Sequence, residues 1–460
     1  MKKHHLLKTI LIAFFVFVCL SWFIDGGLIY NGEFYEAETS TALGIGDIFS
    51  LPFQAFYLFA EYGLIFIFIG GMYGIFNKTG AYKRLIEQIA NKFKNKQLLA
   101  LILTSVFFIC FESIVGVSTL SFVLVPFFAN ILYEIGINKY KIMLATVASI
   151  ILATFGSLIG YATIINYLLG INSLSLVKVR LVLLVIIIIV MVVSLYMKNR
   201  DRIKNKGDLD TIEESIDSLK PTNENKKSFI PLVIILIISL MTAILGMYNW
   251  TESLEVEKIG NFSSKVLEKI SILNGFSTLG TWGTKELAAL ILIVSLVTGI
   301  IYRIKLSDMV EAFKEGAKPM LKVAFYSTIC SLIFMYYYNS EQGYNFIDTI
   351  IFKIYDSSSD YLVLKTAIAT PINSFLLNNS IFLANGIANI VKTLSTNTST
   401  LAFAGLALQM TSSIASLVLP TSFILIAGLS YFDIPYLKWI KYIWKTVLVL
   451  ILITGIIVLI

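Results

Sequence analysis

Histidine is nearly absent from this 460-residue sequence, since both of its histidines, His4 and His5, lie at the N-terminus. This scarcity excludes a histidine proton relay and a histidine-based metal site from the body of the chain. The three cysteines, Cys19, Cys110 and Cys330, fall inside apolar runs, without the spacing of a disulfide framework or a metal site. No P-loop, Rossmann glycine pattern, nucleophile elbow or zinc motif is visible. We therefore expect no enzymatic activity, no cofactor and no bound metal.

Charged residues are scarce as well. They make up 14% of the chain, hydrophobic residues make up 57%, and the mean hydropathy is +0.82. Soluble domains average about 25% charged and roughly 45–50% apolar residues. The net charge of +7 does not indicate a nucleic-acid partner, because the lysines flank hydrophobic runs, as membrane topology requires. The composition predicts an all-α polytopic membrane protein whose main partner is the lipid bilayer.

Nine apolar runs are long enough to cross a bilayer as helices. The first resembles a secretory signal peptide but lacks a small-x-small cleavage site, so we interpret it as a transmembrane helix. Two further apolar regions, 98–135 and 361–394, are each too long for one span. Polar residues near their centres divide each region into halves that look too short to be two separate spans. The nine spans are predicted at residues 6–24, 53–76, 142–170, 178–197, 229–249, 285–303, 320–338, 400–429 and 437–459.

The placement of lysine and acidic residues predicts the topology. Lysines before the first span place the N-terminus in the cytoplasm, and the loop 25–52, which has acids but no lysine or arginine, lies outside. Lysines flank the region 98–135 on both sides, so both of its ends lie inside and it forms a re-entrant hairpin that turns near Glu112–Gly116. The region 361–394 follows an acid-rich outer loop and is predicted to form a second hairpin that enters from outside.

The two halves of the chain then share one plan in opposite orientations. The first inverted repeat covers residues 1–198, and a charged cytoplasmic linker covers 199–228. The remainder, 229–460, contains an extra span at 229–249 and the second repeat. Inverted repeats, broken helices and midplane hairpins are typical of secondary transporters. The alternative is a bundle of structural helices with polar kinks.

Four polar stretches fall at membrane depth: "FESIVGVST" (111–119), "FGSLIGYAT" (155–163), "INSFLLNNS" (372–380) and "LQMTSSIASLVLPTS" (408–422). Non-helical backbone survives there only where protein or water satisfies its polar groups. Half-helix N-termini at such breaks suit a carboxylate, and freed carbonyl, hydroxyl and amide oxygens suit Na⁺ or another cation. The candidate substrate- or ion-binding residues are Glu112, Ser113, Ser118, Thr119, Gly156, Ser157, Gly160, Thr163, Asn373, Ser374, Asn378, Asn379, Ser380, Thr411, Ser412, Ser413, Thr421 and Ser422.

Two acids, Glu112 and Glu61, lie within apolar runs, where a charge costs roughly 2.5–3.5 kcal/mol on insertion scales. Either could carry a coupling proton or pair with a cationic substrate group. For Glu112 the alternative is a cap on the turn, and for Glu61 it is an outward-facing structural role. Each single hydroxyl also has an alternative role in helix–helix hydrogen bonding.

Several segments carry a family resemblance. "GGMYGIFNKTGAYKRLIEQI" (70–89), "STLSFVLVPFFANI" (118–131), "FGSLIGYAT" and "SSIASLVLPTSFILIAGLSYFDIPYLKWIKY" (412–442) resemble the DcuC/YfcC-like carriers of the ion transporter superfamily. These carriers include C4-dicarboxylate anaerobic carriers and basic amino acid antiporters. The resemblance implies two re-entrant hairpins, inverted repeats, often a homodimer, and an elevator-type motion coupled to Na⁺, H⁺ or exchange.

The sequence departs from the family pattern at three places. The second hairpin has "NSFLLNNS" where relatives have small, glycine-rich sequence. Ser412, Ser413 and Ser416 stand where the family tends to have an acid and an asparagine, and Gly160-Tyr161 stands where it tends to have Asn-Pro. These changes remove oxygen ligands that Na⁺ coupling would use.

The sequence therefore predicts a secondary active transporter, a symporter or an antiporter, in the cytoplasmic membrane. Its small-molecule substrate is a carboxylate-bearing metabolite. An amino acid is the first expectation, because Glu112 could meet an ammonium group, and a C4-dicarboxylate is close behind. The alternatives are a channel or passive pore, and a membrane scaffold that transports nothing.

Overall fold

The fold is almost entirely helical, which confirms the predicted class of polytopic α-helical membrane protein. Within the described part of the chain, eight helices are long and apolar enough to cross a bilayer, or nine if one pair bent by 51° counts as a single span. The predicted division into two inverted repeats stays a prediction. The structure, a computed structural model, describes residues 5–30, 33–200, 228–248, 263–264, 275–339, 343–356, 358–376 and 380–459.

The described residues of the first half form ten α-helices and one pair of strands. The first predicted broken span includes, between α7 and α9, a π-helical turn at Leu144–Ala148 and a 3₁₀ turn at Thr154–Gly156. The elements are α1 (His5–Ser21), β1 (Gly27–Tyr30), β2 (Glu33–Glu36), α2 (Ile45–Thr79), α3 (Ala81–Phe93), α4 (Gln97–Val115), α5 (Ser118–Val123), α6 (Val125–Glu134), α7 (Lys139–Met143), α8 (Ser149–Ala153), α9 (Gly160–Leu168) and α10 (Val177–Arg200).

The second half contains the remaining described helices. The predicted cytoplasmic linker falls mostly on residues 201–227, which lie outside the described residues. The helices are α11 (Ile230–Met247), α12 (Thr284–Ile301), α13 (Leu306–Ala317), α14 (Met320–Ile329), α15 (Leu332–Asn339), α16 (Phe346–Tyr355), α17 (Leu362–Leu376), α18 (Ser380–Leu394), α19 (Thr398–Val418), α20 (Phe423–Tyr431) and α21 (Tyr436–Leu459).

Helices α4, α5 and α6 form the first hairpin at the predicted place. Its chain reverses at Gly116, whose φ of +69° is a left-handed conformation that glycine adopts without strain. At the other end, the Gln97 side chain donates a hydrogen bond to the Ile135 carbonyl at 2.8 Å. The two ends of the hairpin therefore meet on one side. Helix α4 alone is long and apolar enough to cross a bilayer, whereas the sequence suggested that each half of this region was too short for a span.

Both predicted interrupted spans are broken at their polar stretches. The first broken span (α7–α9) is interrupted at Ser157–Ile159, and the second broken span (α19–α20) is interrupted at Leu419–Ser422. In the second, Leu419 is extended because it precedes Pro420, which disfavours the helical conformation of the residue before it. Each break leaves backbone groups that need partners from outside the helix.

Close packing of small residues joins helix α2 to helices α13 and α14. A Cβ atom added at Gly70 or Gly74 would collide with the backbone of Gly316 or Ala312. Such glycines allow two helix backbones to approach each other in a membrane. Helix α13 itself was not predicted, because its charged residues marked the region after Arg303 only as a cytoplasmic connection.

A short antiparallel β-hairpin (β1–β2) lies where the sequence predicted only an outer loop. It pairs through Gly27 with Asn345, and the Asp348 carboxylate accepts a hydrogen bond from the Ile29 amide at 3.2 Å. The rings of Phe34 and Phe352 stack with centroids 4.3 Å apart. The β-hairpin is thus fixed to α16, which precedes the second hairpin (α17–α18).

Candidate functional site

The tip of the first hairpin packs directly on the break of the first broken span. A Cβ atom at Gly160 would lie 2.6 Å from the Gly116 Cα, and one at Gly116 would lie 2.7 Å from the Gly160 Cα. Only glycine at both positions permits this backbone contact. The predicted residue Gly160 therefore has a packing role at the centre of the site.

Three donors from the same break converge on one carbonyl of the hairpin. The Ser113 carbonyl accepts from the Leu158 amide at 3.1 Å, the Ile159 amide at 3.3 Å and the Ser157 hydroxyl at 3.1 Å. Backbone groups that the break frees are thus satisfied by the hairpin rather than by water. The hairpin tip and the break form one hydrogen-bonded unit.

Glu112 links the two arms of the first hairpin. Its side chain is 1% exposed, and its two carboxylate oxygens accept hydrogen bonds from Ser118, at 2.7 Å, and from Ser121. The sequence analysis missed Ser121. It lies three residues after Ser118 on the same helical face, and that spacing was the available signal.

A cavity of about 220 Å³ lies beside this unit. It is smaller than the pockets of about 300–1,000 Å³ that hold drug-sized ligands, so it fits a small metabolite. The predicted residues Ser118, Thr119 and Ser422 line it. The lining residues that the sequence analysis did not include among the site residues are Phe59, Tyr62, Gly116, Val117, Ile151, Thr154, Ser331, Ser416, Phe423 and Ile424.

Two half-helix N-termini open into this cavity, one from each half of the chain. The apolar helix Ser118–Glu134, which comprises α5 and α6, begins at Ser118, and helix α20 begins at Phe423. Neither N-cap residue makes a side-chain capping hydrogen bond with a residue that the structure describes. The first amides of a helix lack partners within the helix and carry a partial positive charge. Each end is thus suited to an anionic group, as the sequence predicted for half-helices at the breaks.

The remaining first-half candidates have local partners. The Thr163 hydroxyl donates to the Gly160 carbonyl at 3.1 Å, and Gly156 lies against the backbone of Leu184 on α10. Glu61 is exposed on α2, next to Tyr62, which lines the cavity. Thr163 and Gly156 therefore have packing roles next to the cavity, whereas Glu61 lies on the outer surface of the helix bundle.

Three second-half candidates, Ser374, Thr411 and Ser412, donate hydrogen bonds within their own helices. Thr411 donates to the Ala407 carbonyl and Ser412 to the Gln409 carbonyl, whereas Ser413 donates to the Ile151 carbonyl of the first broken span at 2.9 Å. Ser413 thus joins the second broken span to the first, and none of these candidates is among the described cavity-lining residues.

The second hairpin is represented in the described residues by Asn373 and Ser374. Thr421, in the second break, contacts the Ser374 carbonyl at 3.5 Å. Asn373 is 4% exposed, and its Oδ1 accepts no hydrogen bond from the residues that the structure describes. Asn378, Asn379 and the side chain of Ser380 lie outside what the structure describes.

A buried arginine that the sequence analysis missed joins the two broken spans. Arg180, in the first turn of α10, is 1% exposed. It donates from Nε to the Gln409 side chain and from Nη2 to the Asn166 side chain, both at 3.1 Å, and from Nη1 to the Ser175 carbonyl. Its position at the start of an apolar run resembles that of an ordinary flanking charge, so the local sequence does not indicate that Arg180 is buried.

Gln409 continues this network to the first break. Its Nε2 donates to the Phe155 and Ser157 carbonyls, each at 3.2 Å. Phe155 follows Thr154, which lines the cavity. One amide side chain therefore connects the Arg180 guanidinium to the cavity wall.

Comparisons with known proteins identify a family. The family model of the C4-dicarboxylate anaerobic carriers, DcuC, matches residues 9–460, which confirms the resemblance inferred from the sequence motifs. Among solved structures, the chain is similar to the YdaH transporter of Alcanivorax borkumensis at 11% sequence identity, with a TM-score of 0.39. That alignment covers 99% of this chain and 98% of the YdaH chain. No curated protein matches the chain.

Proposed function

The chain belongs to the family of C4-dicarboxylate anaerobic carriers, DcuC, and on that premise we propose that it is a secondary active transporter of C4-dicarboxylates. It works as a symporter or an antiporter in the cytoplasmic membrane, with its N-terminus in the cytoplasm, and catalyses no chemical reaction. The homodimer that the family resemblance implies stays a prediction.

The observation that carries this proposal is the cavity with a half-helix N-terminus from each half of the chain. A C4-dicarboxylate has one carboxylate at each end, and the starts of α5 and α20 offer one anion-binding helix end for each. The hydroxyls of Thr119, Ser331 and Ser416 line the space between them. They would supply neutral hydrogen bonds that hold the substrate weakly enough to release it.

The structure supports an amino acid substrate less well than the sequence did. That substrate would require the Glu112 carboxylate to face an ammonium group. In the structure that carboxylate is buried and both of its oxygens accept hydroxyl hydrogen bonds. We therefore assign Glu112 to the coupling proton rather than to the substrate.

The contacts divide the helices into two groups, and this division supports an elevator-type motion. The first hairpin is bonded to the first broken span through Ser113, and Ser413 and Gln409 bond the second broken span to the first. Helix α2 packs through glycines on α13 and α14 and contributes Phe59 and Tyr62 to the cavity. We propose that the broken spans and the first hairpin move together against this second body, with the cavity between them.

A binding screen on purified protein tests the substrate. Succinate and fumarate should raise the melting temperature, lysine and other amino acids should not, and each ligand is measured with and without Na⁺. A ligand at about 100 times its Kd stabilises the folded state by roughly 2.7 kcal/mol. Stabilisation by amino acids alone would contradict the substrate proposal.

Counterflow in proteoliposomes tests the mechanism. Succinate trapped inside should accelerate the uptake of labelled succinate, because a carrier that alternates access returns faster when loaded. An ohmic current without counterflow would instead indicate a passive pore. No uptake and no current from well-folded protein would indicate a membrane scaffold.

A further inference from the structure

Arg180 does not line the cavity, and the proposed function assigns it no role. Building on that function, we propose that Arg180 is the specificity-determining residue by which the site selects a doubly charged anion over a singly charged one. Its charge would act on the substrate through the protein, without direct contact.

The position of Arg180 connects it to the cavity. Its Nε bonds to Gln409, and the Gln409 amide bonds to the carbonyls of Phe155 and Ser157, on the break that lies beside the cavity wall at Thr154. The network also fixes the direction of the guanidinium group, because Asn166 and Ser175 hold its other two nitrogens.

The charge of Arg180 is not compensated by the part of the chain that the structure describes. All three of its nitrogens donate to neutral acceptors, namely a glutamine, an asparagine and a backbone carbonyl. No ion pair to an Asp or Glu carboxylate is recorded for Arg180 within the described residues. A buried charge without a counter-charge is costly, and an anionic substrate arriving nearby reduces that cost.

The cavity lining explains why this charge would determine specificity. The lining residues are hydroxyl-bearing or apolar, and none of those described is charged. Hydroxyls and helix ends recognise each carboxylate locally, whether or not the substrate carries a second one. A nearby uncompensated cation instead responds to total charge. At about 10 Å and an effective dielectric constant near 20, one unit charge changes the affinity for each unit of substrate charge by roughly tenfold.

The experiment compares Kd values for succinate and monomethyl succinate at pH 7.5, by calorimetry on purified full-length protein. Arg180→Gln removes the charge and should lower the preference for the dianion by about tenfold. Arg180→Lys keeps the charge but loses the fork of donors, and it should keep the preference. Gln409→Glu places a carboxylate against Arg180 and should lower the preference as Arg180→Gln does, which provides a second variant if the first does not fold.

The matched control is Lys141→Gln. Lys141 is also a buried cation, 8% exposed, and it lies in α7 of the first broken span. Its ammonium donates to the Asn199 side chain at 2.8 Å. It lies ten residues before Ile151 of the cavity wall, about 15 Å along a helix. At that distance the same dielectric constant gives about a sixfold effect at most, so Lys141→Gln should lower the preference clearly less than Arg180→Gln does.

The outcomes separate this inference from the proposed function. If wild-type protein binds succinate but charge removal weakens both ligands by the same factor, Arg180 is only structural and the inference is wrong. A loss of preference in Arg180→Lys equal to that in Arg180→Gln would also overturn it. If wild-type protein binds neither ligand, the proposed function fails and the inference falls with it.

Discussion

In both halves of the chain, a hydroxyl in the break of the broken span bonds to a backbone carbonyl of the hairpin, but the two hydrogen bonds differ in length. In the first half, the Ser157 hydroxyl donates to a carbonyl of the first hairpin at 3.1 Å. In the second half, the Thr421 hydroxyl contacts a carbonyl of the second hairpin at the longer distance of 3.5 Å. The first contact is reinforced by two amides on the same carbonyl and by a glycine–glycine contact.

This difference indicates which joint is rigid. A hydrogen bond weakens at long distance, so the described contact between the second break and the second hairpin constrains their relative position little. The Ser374 and Thr411 hydroxyls each bond back to their own helices, at Thr370 and Ala407. We infer that hydrogen bonds tie the first hairpin to the first break, whereas the second hairpin is held chiefly by the packing of α17 along α19 and only weakly at the second break itself.

We expect the largest effect from Gly116→Ala, which disturbs the contact between the first hairpin and the first break. The added Cβ would meet the Gly160 backbone, and alanine is strained at a φ of +69°. We expect a loss of about 2–4 kcal/mol in the free energy of unfolding, measured as a lower melting temperature. Gly455→Ala is the control, because nothing lies within 4 Å of a Cβ atom at that position. Equal melting temperatures for the two variants would contradict the close contact.

The link between the arms of the first hairpin is tested by Glu112→Gln. A glutamine amide nitrogen cannot accept a hydroxyl hydrogen bond, so one of the bonds from Ser118 and Ser121 is lost at about 1–3 kcal/mol. The initial uptake rate in proteoliposomes should fall by roughly ten- to hundredfold. Glu61→Gln, on the exposed face of α2, should leave the rate within about twofold. A similar loss in both variants would remove the distinction between the two acids.

The second half has a buried acid of its own, outside the membrane spans. Burial raises the pKa of Asp348 to about 7 from its usual 3.8, and the Ile29 amide acts against this shift. Between these two values the unfolded chain releases the proton while the folded protein keeps it. The stability contributed by Asp348 is therefore full below about pH 4, falls as the pH rises, and is gone above about pH 7.

A pH series measures this effect on the joint between the β-hairpin and α16. The melting temperature of wild-type protein should fall from pH 5 to pH 7 by the equivalent of about 1 kcal/mol per pH unit, and Asp348→Asn should flatten that slope. Asp356→Asn, at an exposed position at the end of the same helix, should keep the wild-type slope. Parallel curves for all three proteins would mean that Asp348 does not titrate with folding.

Sequence reasoning found the elements whose signals are local. Apolar length and lysine placement predicted the spans and the first hairpin, and the glycine and proline residues at Gly156 and Pro420 marked the breaks. Residues whose roles depend on distant partners were missed. Arg180 and Gln409 are 229 positions apart, and Ser331 lines the cavity only because a bent span brings it there. Helix α13 and the β-hairpin are polar segments that tertiary contacts order.

The finest test of the comparison pairs Ser157→Ala with Thr421→Val. Each variant removes the one hydroxyl that joins a break to its hairpin, and each replaces it with a residue of similar or smaller size. Ser157→Ala should lower the free energy of unfolding by about 1 kcal/mol, the usual net value of a buried hydrogen bond. Thr421→Val should change it by less than about 0.5 kcal/mol, because a 3.5 Å contact is weak. Chemical denaturation of the two proteins side by side measures the difference. Equal losses would mean that the two hydroxyl contacts contribute equally, and the proposed difference between the two breaks would then be wrong.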